Sequence, residues 1–266
     1  MRQKNGLKRK LIATCLACAI SFPLSSLGDM EVIASEMPGC SLTELKPTLM
    51  AYNYEEQAKI IYERAKEHLN GAEPYIETGI KINQDQLEEF GFYMQLYFLG
   101  ETPGISYFYE YNHPETGRIL IKMEGLQTCI EQHDIAMGKL KEIVNQTQLM
   151  TTPEEKIAYY AKYLYNSYTY DYMFNNKTSY ALLTNKSGVC HAYTTTFSWL
   201  CKLSEIPTMY VSGTLDGQPH AWNKVKNAEG KWMPIDVTNL FLSMNYTYVE
   251  PENYSSHFVE DEHYMF

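Results

Sequence analysis

Cys190, His220 and Asp236 are the residues of this chain whose types and surroundings together could do chemistry. After Ser187, Gly188 and Val189, the residues Tyr193, Phe197, Leu200 and Cys201 recur at three- and four-residue steps. That spacing predicts a helix that starts at Cys190 and buries the face following it. Unpaired N–H groups and the positive end of the macrodipole at such a helix start favour a thiolate over a thiol. The chemistry would be acyl transfer: Cys190 attacks an acyl carbon, His220 takes and returns a proton, and Asp236 orients the ring and stabilises its cation. The Cys190 backbone N–H is the natural first oxyanion donor, and the sequence assigns no second one.

The imidazole and the carboxylate must be brought together by strands. HAWNKVKN, residues 220–227, a turn around Ala228, Glu229 and Gly230, and KWMPIDV, residues 231–237, read as an antiparallel hairpin. Counted about Ala228, His220 lies eight residues before and Asp236 eight after. The two are expected to face each other on one side of the sheet, with Cβ atoms about 5 Å apart. Pro234 signals an edge or a bulge able to slip that register. Ile206 and Pro207 open a strand over TMYVSG, and Gly213 to Pro219 read as a polar loop. Taken singly, a buried Cys is usually inert, a strand His structural and an Asp near a strand end a cap. The joint placement of the three carries the argument. Cys201 falls on the apolar stripe and is expected in the core. His191, about 100° round the helix from Cys190, is expected to point away from it.

The preceding half supplies further elements. Ala58, Ile61, Tyr62, Ala65 and Leu69 predict an amphipathic helix over 51–71 that stops at Asn70 and Gly71. ISYFYEYN and RILIKME around HPETG predict a hairpin over 105–124. Ile130, Ala136, Met137, Leu140 and Val144 form the stripe of a helix over 126–150. Thr152, Pro153, Glu154 and Glu155 then supply a hydroxyl cap, a Pro at the first helical position and a reciprocal Glu for a helix to about Tyr165. YNSYTYDYMFNN, residues 165–176, admits two readings: an aromatic platform for sugar or peptide, or, more ordinarily, tyrosines with buried rings and wet hydroxyls.

The motifs GVCHAY at 188–193, HAWNKV at 220–225 and KWMPIDVT at 231–238 resemble the transglutaminase-like superfamily, particularly its secreted bacterial branch. The resemblance covers about 153–239. It implies a papain-like α+β fold, with the nucleophile heading a helix packed on an antiparallel sheet and with Cys190, His220 and Asp236 at the three catalytic positions. Residues 29–150 then read as an accessory region of helices and hairpin, and 151–266 as the catalytic domain. Two departures concern the closing edge of the sheet. Asn239 stands where relatives commonly have an aromatic after Asp-x-Thr, and HYMF comes where such proteins often continue a last strand.

At 266 residues, 45% apolar and 20% charged, the chain has enough material for one large domain or two small ones. Residues 1–28 hold five bases and no acid, and twelve mostly apolar residues follow Lys10. Basic, apolar, then small is the order of an export signal. Twelve helical residues rise about 18 Å against a bilayer core of about 30 Å, so a permanent span is not expected. The remaining 17 bases face 32 acids, which opposes binding to nucleic acid or anionic lipid through bulk charge. Export leaves Cys40, Cys129, Cys190 and Cys201 with no CxxC among them, so neither a zinc site nor any other cofactor is expected. Cys190 and Cys201 lie too far apart along one helix to bridge, while Cys40 with Cys129 stays open. Asn185, Lys186 and Ser187 form a glycosylation sequon whose glycan would crowd the nucleophile, which favours a bacterial origin. The expected protein is a secreted or cell-surface thiol enzyme acting on amide bonds of a protein or peptide, of the cell envelope among others, by transfer or hydrolysis. The alternative is a catalytically silent module that binds cell-wall peptide or glycan.

Overall fold

The computed structural model describes residues 53–110, 113–239, 248–249 and 251–266. The export segment expected at 1–28 and Cys40 lie outside them. The described residues divide into two compact units, 53–98 with 102–130 and 99–101 with 131–266.

In the first unit, Asn53 caps α1 (Tyr54–Glu67) by accepting the Glu56 N–H at 3.0 Å. Strand β1 (Tyr75–Ile82) alternates exposed and buried residues along its length, as a sheet with one covered face requires. Helix α2 (Gln86–Tyr97) follows, and the expected hairpin is β2 (Ile105–Glu110) with β3 (His113–Lys122). The three strands form an antiparallel sheet in the order β1-β3-β2. Ala58, Ile61, Phe90, Ile119 and Ile121 form the centre of this unit's core.

Helix α3 (Leu126–Asn145) stops five residues short of the expected Met150, and the division between the units falls within it. It buries Ile130, Ala136, Leu140 and Ile143, while Met137 and Val144 stay half-buried.

The second unit begins its ordered run with α4 (Pro153–Ser167), whose predicted capping box is present. Thr152 Oγ1 accepts the Glu155 N–H at 3.2 Å, and Glu155 Oε2 accepts the Thr152 N–H at 3.0 Å. There follow β4 (Thr169–Tyr170), α5 (Ser179–Asn185), β5 (Ser187–Gly188) and α6 (Cys190–Leu203). Helix α6 does not bury one face only. Every residue from Cys190 to Cys201 is buried, so α6 is a central helix, covered all round. The polar residues this encloses are Thr194, Thr196, Ser198 and their neighbours, several of which bond to backbone or to the sheet.

That sheet has four antiparallel strands in the order β8-β7-β6-β9: β6 (Thr208–Leu215), β7 (Gln218–Lys226), β8 (Trp232–Ile235) and β9 (Phe258–Met265). The expected polar loop from Gly213 to Pro219 is a correction. β6 runs on to Leu215 and only Asp216 and Gly217 turn the chain, at φ 51° and 75°. Two residues of positive φ match the twist of a tight hairpin, so strand pairing continues almost to the turn. His263, Tyr264 and Met265 of HYMF lie in β9, which pairs with β6 from Met209 to Leu215 and forms an edge of the sheet. Helix α7 (Pro251–His257) precedes it, and Val211, Trp222, Val249 and Phe258 form a small apolar cluster. The architecture is α+β. Among the described residues no helix is long and apolar enough to cross a membrane.

Two polar groups fix α6 on the sheet. Thr194 Oγ1 donates to the Ala221 carbonyl at 3.0 Å, and Asn223 Nδ2 donates to Ser198 Oγ at 2.8 Å and to the Thr194 carbonyl at 3.2 Å. Asn223 is fully buried. Asn223→Ala should therefore lower unfolding free energy by about 1–3 kcal/mol, because it strands buried partners without water to replace it. Urea denaturation followed by circular dichroism measures this. An unchanged midpoint would show that the clamp is energetically idle.

Candidate active site

Three elements deliver the candidate residues. Cys190 is the first residue of α6, behind an extended Val189 whose side chain caps nothing, so no cap side chain occupies the first N–H groups. His220 lies in β7 opposite Gly213, and Asp236 follows the last residue of β8.

His220 Nε2 stands 2.8 Å from Asp236 Oδ2, with only 8% of the histidine side chain and 1% of the aspartate side chain exposed. An ionised carboxylate only accepts, so Nε2–H is the donor and Nδ1 is left for the Cys190 thiol, with which the ring shares a hydrogen bond. Trp222, fully buried, lies nearly parallel to the His220 ring at 6.1 Å between centroids.

The contact between His220 and Asp236 was expected, but the register behind it was not. β7 pairs with β8 as Asn223 to Ile235 and Lys226 to Trp232, which centres the hairpin on Glu229 instead of Ala228. Asp236 is thus displaced two places from facing His220. Side chains alternate with period two, so a two-place shift keeps both on the same surface, and diagonal neighbours remain in reach. The residues after Asp236 complete the arrangement. Thr238 donates to Oδ1 from its N–H at 3.0 Å and its hydroxyl at 2.6 Å, and Asn239 Nδ2 donates to Oδ2 at 2.9 Å.

Burial pushes the Asp236 carboxyl up, but the His220 charge and the hydrogen bonds from His220, Thr238 and Asn239 outweigh it and hold it below the usual carboxylate range. Burial likewise disfavours charge on His220, yet Asp236 first and Cys190 second raise the imidazole to about 10. Burial pushes the Cys190 thiol up, while the hydrogen bond and charge of His220, the Ala221 N–H and the Tyr170 hydroxyl bring it below its ordinary value. Both shifts favour a thiolate beside an imidazolium.

Sequence reasoning did not single out Tyr170 or the Ala221 N–H. The tyrosine arrives through β4, which pairs in parallel with β5: Thr169 opposite Ser187 and Tyr170 opposite Gly188, two residues before the sulfur. A two-residue parallel bridge leaves no periodicity in sequence.

His191 pairs with Tyr210. Its Nδ1 lies 2.8 Å from the Tyr210 hydroxyl, and burial lowers its pKa to about 4, keeping it neutral. Cys201 is fully buried, and burial raises its thiol to about 12. Neither Cys190 nor Cys201 is bridged. In the tyrosine-rich segment Tyr168 is buried, Tyr170 half-buried and Tyr172 exposed. Among the described residues no three His, Cys, Asp or Glu side chains group as metal ligands would.

Residues 141–237 match the model of the transglutaminase-like superfamily. Cys190, His220 and Asp236 all fall inside the matched segment, and that match supports a thiol-dependent enzyme. Similar solved structures include a candidate cysteine protease from Cytophaga hutchinsonii, 15% identical, covering 49% of this chain and 50% of that one with a TM-score of 0.36. Another is a TGase, 14% identical, covering 62% of this chain and 50% of that one with a TM-score of 0.35. The chain thus spans about half the length of each. No curated protein matches it.

The charge pattern fixes a pH response. Alkylation of Cys190 should rise as pH climbs through its lowered pKa, with a midpoint below that of an ordinary thiol. In His220→Ala the burial stays while the cation is lost, so the midpoint should move above about 8.5. Iodoacetamide rates against pH measure both, and coincident profiles would remove the ion pair.

Proposed function

We propose that this protein is an exported enzyme that opens an amide of a protein or peptide through an acyl intermediate on Cys190. The observation that carries the proposal is the buried arrangement of a helix-terminal sulfur, an imidazole on that sulfur, and a carboxylate 2.8 Å behind the ring. Catalysis would begin when the Cys190 sulfur bonds to the amide carbon and the carbonyl π pair moves onto oxygen. The Cys190 N–H and the Tyr170 hydroxyl, already bonded to the sulfur, would receive that oxyanion. His220 then passes its Nδ1 proton to the nitrogen as the C–N bond breaks, releasing an amine and leaving a thioester. Next an amine or a water attacks the thioester, His220 takes its proton, the C–S bond breaks, and the starting ion pair returns. Transfer and hydrolysis differ only in that second nucleophile.

Asp236 holds the tautomer and stabilises the imidazolium while remaining ionised. Export is supported by the basic stretch and the short apolar run at the start of the sequence. An intact, charged site favours the enzymatic reading over the silent binding module, because a module has no use for a buried thiolate.

At pH about 6, where an ordinary thiol reacts slowly, wild type should take up an iodoacetamide probe and Cys190→Ala should not. Undiminished labelling in the variant, displaced to Cys201, would overturn the assignment. Tyr170→Phe should keep the fold, slow labelling at pH about 6 because one donor to the sulfur is lost, and lower turnover of a peptide amide by about a hundredfold, the scale of one oxyanion donor. Unchanged kcat in that variant would remove Tyr170 from the oxyanion site.

A further inference from the structure

The loop between β4 and α5 is held rigid and presents apolar side chains to water. Asp171, only 8% exposed, spends its carboxylate on the loop itself. Oδ1 accepts the Met173 N–H at 2.9 Å, and Oδ2 accepts the Asn175 N–H at 2.9 Å, the Asn176 N–H at 2.8 Å and Asn176 Nδ2 at 2.8 Å. Both ends of the loop are bonded to the residues just before the nucleophile. The Asp171 N–H donates to the Gly188 carbonyl at 2.9 Å, and the Val189 N–H donates to the Asn176 carbonyl at 3.0 Å. Asn185 Nδ2 adds a bond to Asn176 Oδ1 at 2.7 Å.

What this framework displays is a run of three large apolar residues: Tyr172 at 80% exposure, Met173 at 78% and Phe174 at 48%. Phe174 also sits at φ 56°, a left-handed conformation unfavourable for a bulky side chain. Exposed consecutive apolar residues on a pinned, strained loop are unfavourable in water unless something covers them. The run is continuous with the site. The Tyr172 ring lies 5.0 Å from the Tyr170 ring, and the Tyr170 hydroxyl bonds to the Cys190 sulfur.

We propose that Tyr172, Met173 and Phe174 form the wall that receives an aromatic or large aliphatic side chain of the acyl-donor peptide, close in sequence to the amide that Cys190 opens. A sugar would need directed polar partners, but the Asp171 carboxylate and the Asn176 side chain are already engaged within the loop and with Asn185. An apolar side chain needs only surface. This inference rests on the acyl-transfer reading of Cys190.

The test compares labelling rates of Cys190 in the full chain by acetyl-Phe-Gly chloromethyl ketone and acetyl-Gly-Gly chloromethyl ketone, each divided by the iodoacetamide rate. Wild type should favour the Phe probe by about tenfold or more, the scale of burying one aromatic side chain. The combined variant Tyr172→Ser, Met173→Ser, Phe174→Asn should bring the ratio to about one at an unchanged iodoacetamide rate. Phe174→Asn alone suits the left-handed backbone, so it will fold if the combined variant does not, and it should lower the ratio in the same direction. A wild-type ratio near one, or a preference that survives the substitutions, overturns the inference and leaves the thiol chemistry standing. Failure of iodoacetamide itself to label wild-type Cys190 overturns both.

Discussion

The sulfur of Cys190, a residue only 3% exposed, stays charged only if the protein replaces the water it has lost. Low dielectric surroundings favour the neutral thiol, and a helix terminus offers only a fraction of a charge. The replacement here comes from three places: the His220 imidazolium and the Ala221 N–H on β7, and the Tyr170 hydroxyl on β4. None of these is local in sequence to Cys190. The placement of α6 against the sheet therefore has to be fixed to hydrogen-bond accuracy, and the polar clamps at Thr194 and Asn223 meet that demand where apolar packing alone would allow sliding. The same residue, Ala221, serves both ends of the requirement. Its carbonyl accepts from Thr194 and its N–H reaches the sulfur.

The parts of this arrangement legible in the sequence were those encoded by local rules. The capping box at Thr152 and Glu155, the helix opening at Cys190 and the hairpin of β7 with β8 each follow from residue type and spacing over a few positions. The pairing of His220 with Asp236 was legible for a weaker reason. The observed register differs by two places from a hairpin centred on Ala228, yet period-two alternation keeps both side chains on one face. The difference arises in the turn. Asn227 Oδ1 accepts the N–H groups of Glu229 and Lys231, and Gly230 takes φ 77°, which places the hairpin centre one residue later than the sequence suggested.

Other parts were hidden because they depend on contacts between distant segments. Tyr170 owes its place to a two-residue parallel bridge, and nothing in YNSYTYDY distinguishes it from Tyr168, which is buried. The wrapping of α6 on all sides was masked by its threonines and serines, which read as an exposed face until the sheet supplies their acceptors. Asn239 looked like a departure from the superfamily pattern at the sheet edge. It instead folds back onto the Asp236 carboxylate.

That return of Asn239 bears on how the site titrates. Asp236 Oδ2 is shared between His220 Nε2 and Asn239 Nδ2, while Oδ1 takes two bonds from Thr238. Four donors spread the carboxylate charge and keep it ionised, so Asp236 acts as a fixed charge across the range in which the sulfur and the ring exchange a proton. The proton that moves then belongs to the pair of Cys190 and His220, and the two titrate as a unit. Were Asp236 bonded to His220 alone, a buried acid would compete for that proton and partly neutralise the imidazolium that the sulfur depends on.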